Sequence, residues 1–278
     1  MRKKLFYLCY VPAVLAAGIL YYFLYRTGIS NQTGFYVGES SLLTLFYLLG
    51  IFLLVGLYIW AARSAAKSEG ASAEGNSFLW GASSVLCGIL LLMGGLYGGW
   101  QTASPLFSRE AVQIPKLFLP GLDCFLSLAA ALSFMMLGVR LLRQNLHIYR
   151  YSRSLLWISL WSAFRLVTRF GQLPMAFRMP QRLLEILMMT AQCLFLLAGS
   201  HLICNVIGKK SYRWALFSGH AATALGLIWC VCPLMAGNLA LSDLSQMLNY
   251  WMEWGLVLFI GLFCFFITPA DQKTKPAV

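Results

Sequence analysis

Eight apolar stretches, each about twenty residues long, alternate along the chain with short segments that gather most of its Lys, Arg and turn-forming residues. They run over Leu5–Tyr25, Ser41–Ala62, Phe78–Trp100, Leu117–Leu142, Leu155–Leu173, Gln181–Ile207, Trp214–Ala236 and Leu248–Thr268. At a rise of about 1.5 Å per residue, twenty residues of helix match the hydrocarbon thickness of a bilayer, about 30 Å. The pattern predicts an all-α polytopic transmembrane bundle of eight helices, or seven if the short fifth stretch does not span. All 278 residues then form one integral membrane domain with no soluble domain. Arg2, Lys3 and Lys4 precede the first stretch, and Ala16-Ala17-Gly18 resembles a cleavage region. The length of the run and the tyrosines closing it (Tyr21, Tyr22, Tyr25) suit an uncleaved signal anchor better.

Composition agrees with lipid as the main solvent. The chain is 60% hydrophobic and 11% charged, whereas a soluble domain carries about 25% charged residues. Its net charge of +12 is dispersed among the connecting segments, the pattern of membrane topology and anionic-lipid contact, and no nucleic-acid partner is expected. With both termini cytoplasmic, fourteen of the twenty-one Lys and Arg lie inside and seven outside. Failure of the fifth stretch to cross would change the split to thirteen and eight. The small-residue segment AARSAAKSEGASAEGNS reads as a flexible loop, RLLRQNLHIYRYSR around His147 as a basic inner loop, and DQKTKPAV as a tail too short for a domain.

Eight cysteines sit inside the apolar runs, so a disulfide framework is not expected. The Cys230-x-Cys232 pair lacks a His or an acid at metal-ligand spacing. No phosphate-binding glycine loop, HExxH or GxSxG is present, so no catalytic residue, cofactor or metal is assigned. The third stretch carries Gly94-xxx-Gly98 and Gly95-xxx-Gly99, with Gly81, Gly88 and Gly95 repeating every seven residues. Such faces let helices approach closely, within the chain or against a partner membrane protein, while a hinge is the other use of glycine.

The remaining chemistry lies in charges placed within apolar runs, where each costs about 2.5–3.5 kcal/mol on insertion scales. Arg165 and Arg169 are four apart and share a helical face with Trp161, Ser162 and Ile158. If the chain turns near Phe177, Arg169 and Glu185 stand opposite each other about 6 Å below the outer boundary, and Arg165 lies about 12 Å down without a partner in the hairpin. Asp123, about 9 Å deep, and Glu253, about 8 Å deep, could supply one. These five residues support an outward-facing polar cavity for an ion, an anionic solute or a lipid head group, because arginine captures carboxylate and phosphate bidentately. A closed charge network that fixes the helices is the other reading, and the one the residues favour. His201 and His220 could face each other as a relay or serve as interfacial histidines.

The run FRLVTRFGQLPMAF…RLLEILMMTAQCLFLLAGSHL resembles uncharacterised multi-pass membrane proteins of Gram-positive gut anaerobes, through Arg165, Leu173, Pro174, Glu185 and Leu187. The resemblance implies a bacterial inner-membrane protein and carries no site. A non-enzymatic binding or transport component is the leading expectation. A sensory or assembly subunit working through Gly94, Gly95, Gly98 and Gly99 comes second, and a lipid-modifying enzyme third.

Overall fold

A computed structural model describes residues 2–29, 36–38, 40–66, 71–72, 77–107, 114–143, 152–172, 179–203, 209–235, 244–266 and 268–269. Among these are eight α-helices: α1 (Arg2–Gly28), α2 (Ser40–Ala66), α3 (Ser77–Phe107), α4 (Ile114–Leu142), α5 (Ser152–Gln172), α6 (Pro180–Ile203), α7 (Lys209–Met235) and α8 (Leu244–Phe266). Seven are long and apolar enough to cross a membrane, and α5 is the exception. Its 21 residues reach about 32 Å, so composition rather than length sets it apart. Arg153, Arg165 and Arg169 dilute its apolar residues. The expected turn near Phe177, the basic stretch through His147, Cys204 and the tail from residue 271 lie outside the described residues.

Several helices outrun their apolar stretches. α3 continues seven residues past Trp100, and α7 begins five before Trp214, because helical hydrogen bonding does not stop where hydrocarbon would. α8 ends at Phe266 rather than Thr268. There the backbone turns extended, and Thr268–Pro269 (β2) pairs antiparallel with Ala71–Ser72 (β1). The α2–α3 connection thus has a short ladder where only a structureless loop was expected. Pro180 opens α6 at a position where a missing N–H costs nothing, and Leu183 N–H donates to Met179 O at 3.1 Å.

Packing follows small residues. α3 and α4 form the most extensive helix pair, because Gly81, Gly88 and Gly138 leave room for backbone against backbone. A Cβ at Gly81 would lie 3.0 Å from Gly138 O, and one at Gly138 would lie 2.7 Å from Gly81 O. The seven-residue glycine repeat is therefore an internal packing face. Gly95 and Gly99 continue it, against Ser127 and Cys124 of α4. Buried hydroxyls on α3 and α4 are satisfied locally or across this seam: Ser133 donates to Ala129 O at 2.8 Å, and Ser84 to Phe134 O at 2.8 Å. The main core gathers Cys87, Leu91, Ala130, Phe134, Phe195 and Ile260 from α3, α4, α6 and α8. A second cluster around Tyr21, Leu24, Phe46 and Ala224 seats α1 against α2 and α7. α5 packs against α4 on one side and α6 on the other. It buries Leu155, Ile158 and Trp161 and exposes Leu156, Leu160 and Val167.

Candidate functional site

The charged residues of the apolar stretches collect toward the end of the bundle where α5 finishes at Gln172 and α6 begins at Pro180. Arg165 lies about 10 Å before the end of α5, and Glu253 about 13 Å into α8. The two meet: Arg165 Nη2 stands 2.6 Å from Glu253 Oε1. Glu253 is 1% exposed. Its second oxygen, Oε2, accepts from Gln192 Nε2 of α6 at 2.9 Å. The arginine plane also lies over the Trp161 ring, 5.4 Å from its centroid, one turn back on α5. The guanidinium approaches Oε1 off the hydrogen-bond direction, so that oxygen has a charge partner rather than a directed bond.

Arg165 therefore does have a partner, and it comes from the last helix. A carboxylate in apolar surroundings must be answered, and here an ion contact and an amide do so together. Gln192 is the participant that reading the chain missed. It stands seven residues after Glu185, on the same face of α6, and that spacing is the signal that could have found it. Thr190, two residues before Gln192, donates to Ile186 O in its own helix at 2.8 Å.

Nearer the end of the bundle, Arg169 Nε lies 3.3 Å from Glu185 Oε1. This pair joins α5 to α6 at the levels that equal counting from the turn implies. It is much more open: the Arg169 side chain is 40% exposed and that of Glu185 14%, against 13% for Arg165 and 2% for Glu253. Among the described residues neither Nη of Arg169 donates a hydrogen bond. Arg182, in the first turn of α6, adds its charge beside Glu185. Asp123, on α4, lies at the surface within electrostatic reach of Arg165 and Arg169, yet forms no ion pair among the described residues.

The five residues thus divide. Glu253 and Gln192 are buried, and Arg165, half-buried with its side chain 13% exposed, locks onto the carboxylate between α5, α6 and α8. Arg169 and Asp123 form an open rim above it, with the half-buried Glu185 paired to Arg169. The five side chains expected to line one cavity thus form two separate ion pairs, Arg165–Glu253 and Arg169–Glu185, with Asp123 in neither. A pocket lined chiefly by apolar side chains, including Phe134, Ile158, Phe195, Phe259 and Phe263, lies toward the other end of the bundle. His220 turns to α1 and α2. Its Nδ1 is 2.8 Å from Leu216 O, Tyr7 Oη is 3.3 Å from Nε2, and the Trp60 ring packs edge-on. His201 is exposed at the end of α6. The seven described cysteines are free thiols. Gly94 and Gly98 face away from α4 with nothing within 4 Å of a built Cβ, so the four glycines named for a partner do not share one face. A comparison with family models, curated proteins and solved structures finds no match, and the functional reading rests on this geometry.

Proposed function

We propose that the chain is a non-enzymatic binding or transport component of a cell membrane that takes the anionic group of its ligand at Arg169. Both termini are cytoplasmic, and the rim faces outward. The observation that supports the site is the gradient of exposure, from Asp123 at the surface through Arg169 and Glu185 to the enclosed Arg165–Glu253 contact. An arriving ligand meets the rim first, while the Arg165–Glu253 contact holds α5, α6 and α8 in register beneath it. A guanidinium whose Nη edge is unengaged among the described residues suits bidentate capture of carboxylate or phosphate. Orientation follows from the excess of Lys and Arg on the opposite side.

The test is the midpoint of thermal unfolding of the full-length protein in detergent, at rising concentrations of inorganic phosphate, acetate and phospholipid. A ligand at 100 times its dissociation constant stabilises by about 2.7 kcal/mol. At least one of these probes should raise the wild-type midpoint, and Arg169→Gln should abolish that rise. A variant that responds as the wild type does, or a wild type that responds to none of them, refutes the reading.

One observation favours the assembly reading beside it. The Gly94 and Gly98 face of α3 is open among the described residues, and small residues there would admit a partner helix. Cysteine crosslinking at those two positions in native membranes would capture a neighbouring protein if this reading holds, and none if it fails.

A further inference from the structure

We infer that the ligand of the rim is zwitterionic, with its anionic group on Arg169 and its ammonium group on Asp123. This rests on the binding reading above and narrows it. Asp123 and Arg169 come from adjacent helices, α4 and α5, near the same end of the bundle. Asp123 lies about 8 Å into the apolar span that begins at Phe118, and Arg169 about 5 Å before α5 ends. Both side chains reach the surface, Arg169 over 40% of its area. Asp123 lies within electrostatic reach of Arg165 and, less strongly, of Arg169, yet is ion-paired to neither. Two opposite charges held apart at one surface fit a molecule that carries the complementary pair a few ångströms apart.

The charge balance points the same way. Asp123, Glu185 and Glu253 face Arg165, Arg169 and Arg182, three against three. A net anion would bind Arg169 beside an uncompensated Asp123, whereas a zwitterion leaves the cluster neutral. The flanking surface adds the source. Phe118, Leu119 and Phe125 of α4 and Val167 and Phe170 of α5 are all exposed, so the charged rim emerges from an apolar flank. A phosphate and an ammonium delivered together at such a surface are the chemistry of an ethanolamine phospholipid head group. A free amino acid or phosphoethanolamine carries the same charge pair from solution.

The experiment is native mass spectrometry of the full-length protein in detergent with dioleoyl phosphatidylethanolamine or phosphatidylglycerol. Parallel thermal shifts are recorded with phosphoethanolamine and with glycine. The wild type should retain the ethanolamine lipid in preference to the glycerol lipid, or respond to the two soluble zwitterions. Asp123→Asn should weaken that binding about tenfold, the worth of a contact to a charged group, and leave the glycerol lipid unaffected or tighter. Asp123→Glu, which keeps the carboxylate, should restore it and so separates loss of charge from misfolding. A response to phospholipid alone assigns the site to the membrane, and a response to the soluble pair assigns it to a solute. Preference for the glycerol lipid in the wild type, or a preference untouched by Asp123→Asn, overturns the inference. In that case Arg169-dependent binding of the glycerol lipid would leave the broader reading standing, and binding indifferent to Arg169→Gln would remove both.

Discussion

Replacing Glu253 by Gln isolates the enclosed contact. The substitution keeps the shape of the side chain and an oxygen that can still accept from Gln192, and removes only the charge. Arg165, whose side chain is 13% exposed, is then left as a cation without a contacting counter-ion. At a charge-centre separation of about 4 Å and an effective dielectric of about 20, the lost attraction is about 4 kcal/mol. Removing one member of a buried ion pair typically costs about 3–5 kcal/mol. Pairing Glu253→Gln with Arg165→Met removes the stranded cation as well and fills its volume with a thioether chain. Apolar replacement of a buried pair is often neutral or stabilising, so the double variant should recover at least about half of the loss. Unfolding free energies from denaturant titration of the four proteins give the coupling directly. Additive effects, or a double variant less stable than Glu253→Gln alone, would refute the idea that the charge of Glu253 is there to answer Arg165.

Gln192→Leu should cost about 1.5–3 kcal/mol, because it strips a hydrogen bond from a buried carboxylate oxygen, measured in the same titration. Arg169→Glu should weaken the α5–α6 hairpin by less than the enclosed pair is worth, and adding Glu185→Arg should restore part of the loss. A double variant no better than the single would contradict the contact at 3.3 Å. Gly88→Ala should destabilise by about 1–3 kcal/mol, since its Cβ would lie 2.9 Å from Ala131 O and 3.0 Å from Met135 N. Gly98→Ala should be neutral or stabilising by up to about 1 kcal/mol, with open space at that face and a better helix former in place. Equal effects at the two glycines would contradict the packing of α3 on α4.

The helices were legible in the chain because lipid imposes a length on each apolar run, and that constraint is local. The Arg169–Glu185 contact was legible for a similar reason: two residues equidistant from one turn face each other in a hairpin. Arg165 and Glu253 lie 88 residues apart on helices that no connection joins. Which helices of a bundle become neighbours depends on the sum of their packing faces, and nothing near either residue announces it. Gln192 was overlooked because one amide in an apolar run looks tolerable until the carboxylate it serves is known. The glycines of α3 were read as a packing face, and the structure separates them. Gly81, Gly88, Gly95 and Gly99 meet α4, whereas Gly94 and Gly98 do not. A one-residue offset rotates a helical position by 100°, which spacing alone cannot assign to one neighbour.

The division between an open rim and an enclosed contact is best measured by thiol reactivity. Cys87 is fully buried close to Glu253 and Arg165, and Asp123 and Arg169 stand at the rim. Three proteins are compared, each with one cysteine, at Cys87, at Asp123→Cys or at Arg169→Cys, and each exposed to a small charged thiol reagent in intact membranes. The account predicts prompt labelling at positions 123 and 169 and none at Cys87 until the protein is denatured. Labelling of Cys87 at a rate comparable to the rim positions would reveal a water-filled cavity reaching Glu253, and would contradict it.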